Sequence, residues 1–388
     1  MVKFGVEVFF ESGEFKRFKG KRLALLCNQA SVDENFRYSF VRFKEVFGKD
    51  FKLIFSPQHG LFSEKQANMI PSADEIEPFT QTPVVSLYGP RLSPEKKHLS
   101  EVDVVFVDLQ DVGCRVYTYV WTLFLLMREC EKLGKTVVVL DRPNPCGAEV
   151  SGPVLKPDYF SFVGMAEIPL QHGLTIGELA KFFALYEFPN LELEVVKMQN
   201  YSPNSTWKDT KRAWVFTSPN IPTWETCLVY PGMVLFEGTN VSEGRGTSLP
   251  FFLFGAPYVD WKPLQEPLKR LLKEFPEIYL RPVCFEPVFD KWKQEKCKGF
   301  QIHLLSSPKR ITIFAIKLLK ILASTFEEFE FLPPPYEFEK EKKPIEILIG
   351  DQKVLNWIFG KEEFDLEEYV YYNLGNYEEK VKACRLYA

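Results

Sequence analysis

With 388 residues, 46% of them hydrophobic and 26% charged, the chain exceeds the length at which one core stops growing, so two domains are expected and long disordered tracts are excluded. A net charge of -4, with lysines and arginines scattered among acids, excludes the basic footprint that a nucleic-acid partner needs. The longest apolar stretch, Val120 to Met127, is far shorter than the roughly 20 residues that span a bilayer, so no membrane insertion is expected.

Residues 1–22 contain no apolar segment followed by a small-residue cleavage site, and acids interrupt them early, which predicts a cytoplasmic protein. Five short apolar runs come next: Leu23–Cys27, Leu53–Phe55, Val84–Leu87, Val102–Val107 and Thr136–Leu140. They are aliphatic without alternation, the pattern of strands buried on both faces of a parallel sheet. Helical patterns lie between them at Phe36–Phe47 and Thr122–Leu133, the second stopped by Gly134. This βαβ rhythm predicts the α/β class.

Each strand is followed by a polar cluster: Asn28-Gln29, Gln58-His59-Gly60, Tyr88-Gly89, Asp108-Leu109-Gln110-Asp111 and Asp141-Arg142-Pro143-Asn144. Ligands of open α/β sheets bind beyond the carboxyl ends of the strands, so these clusters are expected to converge on one mouth. A helix follows from Thr175, where Thr175 and Glu178 form a capping box, and Ser-, Pro- and Asn-rich residues 200–222 predict a long surface loop. The C-terminal part shows a helix at Glu266–Phe275, a strand at Gly299–Leu304 and a helix at Arg310–Phe326. Pro333–Pro335 then run into a charged segment, Glu337–Lys343, read as a solvated face, and a tail bearing Tyr369, Tyr371 and Tyr372. The eight cysteines stand singly, without a C-x-x-C pair, and are expected to be buried hydrophobes.

The clusters spell LALLCNQAS, FSPQHG, VVSLYG, VDLQDVGCRVYTY, DRPNPCG, IPLQHGLTIGELA, SPNIPT and YPGMVLFEGTNVSEGRGTSLPF. In this order, from about Lys21 to Tyr336, they resemble the exo-β-N-acetylmuramidase-like family of glycoside hydrolases, first catalogued as a domain of unknown function. The resemblance implies a Rossmann-like parallel-sheet domain, residues 1–227, followed by a smaller α/β domain, residues 228–388, with the site in the cleft between them. It also implies removal of terminal N-acetylmuramic acid from the non-reducing end of peptidoglycan fragments, the expected carbohydrate partner. Family members commonly carry the proposed catalytic glutamate just before the His-Gly, and here that position is Gln58.

An amide cannot protonate a leaving oxygen. Three readings follow: another carboxylate supplies the acid, the protein binds the sugar without cleaving it, or it acts on a related ligand. The catalytic candidates are Gln58 itself, as a donor in a route assisted by the substrate's own acetamido group, and two carboxylates, Glu64 and Asp111. Glu64 lies in a polar patch with Lys65, Gln66 and Asn68; Asp111 emerges from an apolar strand, where burial raises a carboxyl pKa. Asp108 reads as structural.

Candidate binding residues are Asn28, His59, Gln110, Tyr117, Arg142, Asn144, His172 and Asn220, with Arg115 as a planar partner for the lactyl carboxylate of muramic acid. Asn240, Glu243 and Arg245, in a glycine-punctuated segment with Glu237, form the expected second wall. Neither a P-loop nor a G-x-G-x-x-G follows any strand, and no cofactor is expected. A metal-dependent hydrolase using His59, Asp108, Asp111 and His172 is the rival from another class.

Overall fold

The structure is a computed structural model that describes residues 1–66 and 69–387; Asn68 of the polar patch lies outside them. Nine strands precede residue 200: β1 Leu23–Cys27, β2 Phe51–Ser56, β3 Glu75–Ile76, β4 Pro83–Ser86, β5 Val104–Asp108, β6 Thr136–Leu140, β7 Val150–Val154, β8 Pro169–His172 and β9 Leu193–Val196. Seven of them form one sheet in the order β3-β4-β2-β1-β5-β6-β9, parallel except for the edge strand β3. The five apolar runs of the sequence are its β2, β1, β5, β6 and β4, and every residue of β1 and β5 is buried. The chain builds outward from β1 in both directions, which leaves a switch point between β1 and β5.

Alternation sends successive residues of β1 to opposite faces. Leu23, Leu25 and Cys27 join an aromatic cluster with Phe9, Phe43 and Phe106, while Ala24 and Leu26 join the larger core beneath the helices Tyr119–Lys132 and Ile176–Tyr186. The first helix ends at Lys132 with Gly134 in the left-handed region, and the second is capped by Thr175, whose hydroxyl accepts the Glu178 amide.

Beyond residue 222, helix Trp224–Met233 leads into an antiparallel sheet of β10 Leu253–Ala256, β12 Cys297–Leu304 and β11 Ile278–Phe285, with β12 central. Helices Trp261–Glu274 and Ile311–Thr325 accompany it. The expected break at 227 falls inside helix Trp224–Met233, and one hydrophobic cluster runs from Ala24 to Cys384 across it. The aromatic tail forms a helix, Leu366–Lys382. Tyr377 and Tyr387 tie it back to the N-terminal part, donating hydroxyl hydrogens to the carbonyl of His172, in the two-stranded sheet β7-β8, and to Asp141 beyond β6.

Two loop readings are corrected. The segment 200–222 is not a surface loop throughout, since Thr217, Ser218, Asn220 and Ile221 are buried. The charge run 337–343 is not uniformly solvated: Glu337 is only 3% exposed. In both stretches, turns between prolines carry polar side chains inward.

Candidate active site

Beyond β2 the chain reverses sharply, with His59 at φ 74° and Gly60 at φ 86°. The left-handed φ of Gly60, which side chains rarely adopt, accounts for glycine there. The reversal carries Gln58 inward. Thr118 Oγ1 donates to Gln58 Oε1 at 2.5 Å, and this fixes the amide so that Gln58 Nε2 donates to Glu337 Oε1 at 3.1 Å. Tyr88 Oη donates to the other Glu337 oxygen at 2.7 Å. Burial pushes the Glu337 carboxyl up to about 7, against the pull of these two donors.

Glu337 reaches this position from a tight turn in which Tyr336 and Glu339 exchange backbone hydrogen bonds, both 2.9 Å. Glu337 and Phe338 sit at φ 44° and 70°. Such conformations cost non-glycine residues energy and concentrate at functional sites. Phe338 pins the turn by packing edge-on against Tyr88 and Phe162.

Gln58, His59, Tyr117, Thr118 and Asn220 share one cavity with Tyr230, Glu237, Arg245, Tyr336 and Glu337, so both halves of the chain contribute walls. Its volume of about 30 Å³ admits one or two waters. A sugar ring does not fit inside this space as it stands.

His59 Nδ1 lies 2.7 Å from the Lys65 carbonyl, which can only accept, so Nδ1 carries the hydrogen and Nε2 is left as an acceptor. Burial lowers the imidazole to about 4 and keeps it neutral near pH 7. Arg245 Nη2 meets Glu237 at 2.6 Å and Nε lies 3.2 Å from Glu243, which Lys291 approaches at 2.6 Å. Burial opposes the charge on Arg245, but Glu237 and Glu243 more than offset it and hold the guanidinium protonated. Tyr336 Oη donates to the second Glu237 oxygen at 2.5 Å. Two acids and two bases thus balance on this wall, while Arg245 Nη1 has no hydrogen-bond partner among the described residues.

Other candidates stand elsewhere. Arg115 is fully buried and donates to the carbonyls of Pro153, Ile168, Leu348 and Ile349, and it is not among the residues that line the cavity. Arg142 grips Asp108 through two nitrogens at 2.5 and 3.0 Å. Asp111 accepts the Gly113 amide and faces His172 Nε2 at 3.0 Å, while His172 Nδ1 accepts from Leu174. Asn144 ties the Leu174 carbonyl to the Cys146 amide, and Asn28 bonds with Ser31 and, more distantly, Gln110.

Asn240 fastens Tyr258 to the 328–330 segment. Glu243 works from behind Arg245. Glu64 is half-exposed beside Lys65 and does not line the cavity. Gln110 and Arg142 line a separate space of about 240 Å³ with Phe4, Trp207, Lys211 and Arg212, where Arg142 is paired with Asp108 and Arg212 with Glu7. The four side chains of the metal reading do not assemble: His59 is held by Lys65, Asp108 by Arg142, and only Asp111 and His172 meet. Among the described residues no three His, Cys, Asp or Glu side chains gather as a metal site.

Sequence reasoning missed Glu337, Tyr336 and Thr118. The signal was a glutamate between two aromatic residues directly after Pro333–Pro335, an unusual setting for a solvated charge.

Comparison with known proteins agrees with the sequence motifs. The family described as Exo-beta-N-acetylmuramidase NamZ matches through its N-terminal part at residues 23–225 and its C-terminal part at residues 228–387. The peptidoglycan beta-N-acetylmuramidase NamZ of Bacillus subtilis (strain 168) is 39% identical over 326 residues, covering 82% of this chain and 77% of that protein. Two crystal structures of DUF1343 family proteins from Bacteroides fragilis NCTC 9343, each 27% identical, match all of this chain and 99% of theirs, with TM-scores of 0.87 and 0.76. The chain belongs to the exo-beta-N-acetylmuramidase NamZ family.

Proposed function

We propose that this protein is an exo-acting β-N-acetylmuramidase that releases terminal N-acetylmuramic acid from the non-reducing end of peptidoglycan fragments. The observation that carries this reading is Arg245. It is a buried, charged guanidinium in the wall of the shared cavity, with Nη1 unpartnered among the described residues. Muramic acid differs from other amino sugars by its lactyl carboxylate, and a planar guanidinium recognises a carboxylate by hydrogen bonds as well as charge. Arg245 takes the part that the sequence suggested for Arg115. His59, Tyr117 and Asn220 are the proposed sugar contacts, since they line the same walls. A division of the chain near residue 227 belongs to this proposal, because the cavity draws on both sides of it. So does a cytoplasmic location, with which eight unpaired cysteines agree.

The test compares release of the chromophore from matched β-N-acetylmuramide and β-N-acetylglucosaminide substrates. A preference for the muramide that Arg245→Lys reduces supports the reading. Equal rates on both, or a preference unchanged in Arg245→Lys, count against it. A binder without catalysis is the second reading, favoured only by the amide at Gln58; binding of N-acetylmuramic acid without turnover of either substrate would establish it.

A further inference from the structure

We infer that the acid missing at Gln58 is supplied by Glu337, and that Thr118, Gln58 and Tyr88 form the frame that presents its carboxyl to the glycosidic oxygen. This rests on the glycosidase reading above and names the residue that carries its proton transfer.

The argument begins with Gln58. Its amide is not free to rotate: the Thr118 hydroxyl donates to the amide oxygen, so the NH2 group turns toward Glu337. A carboxylate at position 58 would instead face the carboxylate of Glu337 at hydrogen-bond distance, and two like charges so placed must share a proton. Glutamine removes that repulsion and supplies a donor. Position 58 therefore adds no second carboxyl at hydrogen-bond distance from Glu337, and it changes from a proton carrier to a positioning residue.

The second strand of the argument is the energetic cost of placing Glu337. The side chain is 3% exposed, no cation among the described residues forms an ion pair with it, and its backbone occupies the left-handed region beside a second non-glycine residue in that region. A glutamate serving solubility would not be buried. One serving stability would normally pair with a base; here the nearby guanidinium of Arg245 is engaged by Glu237 and Glu243. The groups that face Glu337 are Tyr88, Gln58 and Arg245, which favour its charged form, and Glu237, which opposes it; burial outweighs them and brings its titration to about 7. Among the described residues each Glu337 oxygen accepts one hydrogen bond and has a lone-pair direction left, which is what a proton donor needs.

In the step proposed, the bond between C1 of the muramic acid residue and the bridging oxygen breaks, and its electron pair stays on that oxygen. The oxygen takes the Glu337 proton and leaves as an alcohol. A water oxygen then bonds to C1, its proton returning to Glu337 through solvent or by way of His59 Nε2, the acceptor on the same wall. One water is consumed and the enzyme ends in its starting protonation state.

The experiment measures kcat/KM for the unaltered chain and for Glu337→Gln on two substrates. One is the disaccharide MurNAc-GlcNAc, whose leaving oxygen needs a proton; the other is dinitrophenyl β-N-acetylmuramide, whose leaving group departs as an anion. A general acid contributes about 10²–10⁴-fold, so that loss is expected on the disaccharide, with less than about tenfold on the dinitrophenyl substrate. The descending limb of the disaccharide pH profile near neutrality should vanish with it.

Equal losses on both substrates in a variant that melts like the unaltered chain would assign Glu337 a structural role and overturn the inference. If Glu337→Gln does not fold, Tyr88→Phe decides. Loss of a donor to the carboxylate should move the descending limb to higher pH, and an unmoved limb overturns the assignment. No turnover of either substrate by the unaltered chain overturns the glycosidase reading itself.

Discussion

Two groups of buried charge lie at the carboxyl edge of the same sheet, and they differ in how their charges are paired and in which halves of the chain wall the space beside them. At the ends of β5 and β6, Asp108 grips Arg142 through two nitrogens, Asp141 takes hydrogens from Thr175, Gly177 and Tyr387, and His172 spends both ring nitrogens on Asp111 and Leu174. At the end of β2, Glu337, His59 and Arg245 each keep bonding capacity in hand and share a cavity. Position beyond a strand end is common to both groups. A cavity walled by both halves of the chain belongs to the second, and it is what separates a candidate site from the scaffold that aims it, since Asp111 Oδ1 and Gln110 Oε1 beside the first group also lack a hydrogen bond among the described residues.

The largest effect that would sharpen this contrast is on stability. Arg142→Met leaves Asp108 buried without its partner and should cost about 3–5 kcal/mol, read from urea unfolding. A loss below about 1 kcal/mol, the range of an exposed pair, would break the view of this group as saturated scaffold. Arg245→Lys keeps the charge and loses the fork. It should lower kcat/KM on muramides by about 10–100-fold, the worth of one or two charge-assisted hydrogen bonds, with little change on glucosaminides.

The pH dependence of stability probes both groups. Asp141 and Glu337 each titrate at about 7 in the folded chain, raised by burial, against roughly 4 for ordinary carboxyls. The folded state thus holds protons that the unfolded state has released. Their contribution is complete below about pH 4 and is lost as pH rises through about 7. Melting temperature should fall between about pH 4 and 7, and Asp141→Asn should flatten part of that slope; an unchanged slope would contradict the assignment. Thr175→Ala removes the cap of helix Ile176–Tyr186 and should cost about 1 kcal/mol in urea, with kcat/KM unchanged. Glu64→Gln is expected to do least. A half-exposed side chain outside the cavity should shift stability by under about 0.5 kcal/mol and leave the leaving-group dependence intact.

Much of the scaffold was legible because local chemistry dictates it. Uninterrupted aliphatic runs such as Val137–Leu140 have no stable place but between two covered faces, and the Thr175–Glu178 cap is written in four residues. The edge strand Leu193–Val196 and the C-terminal helix escaped notice because partly exposed, polar-rich patterns fit several structures equally well. Gln58, His59, Tyr117, Asn220 and Arg245 were readable as site residues from the turns that follow strands and from glycine-rich chain. Glu337 was not, because its role comes from a contact between residues 58 and 337 that no local pattern encodes. The four backbone carbonyls that Arg115 meets were hidden for the same reason: a guanidinium beside a strand end reads alike whatever it contacts.

The most direct test of the account is to incubate the purified chain with MurNAc-GlcNAc and, separately, with GlcNAc-MurNAc, and to resolve the products by chromatography. A site that holds a terminal muramic acid against Arg245 predicts free N-acetylmuramic acid from the first disaccharide and no cleavage of the second. Cleavage of both, or of the second alone, would contradict an exo-acting muramidase site at this cavity.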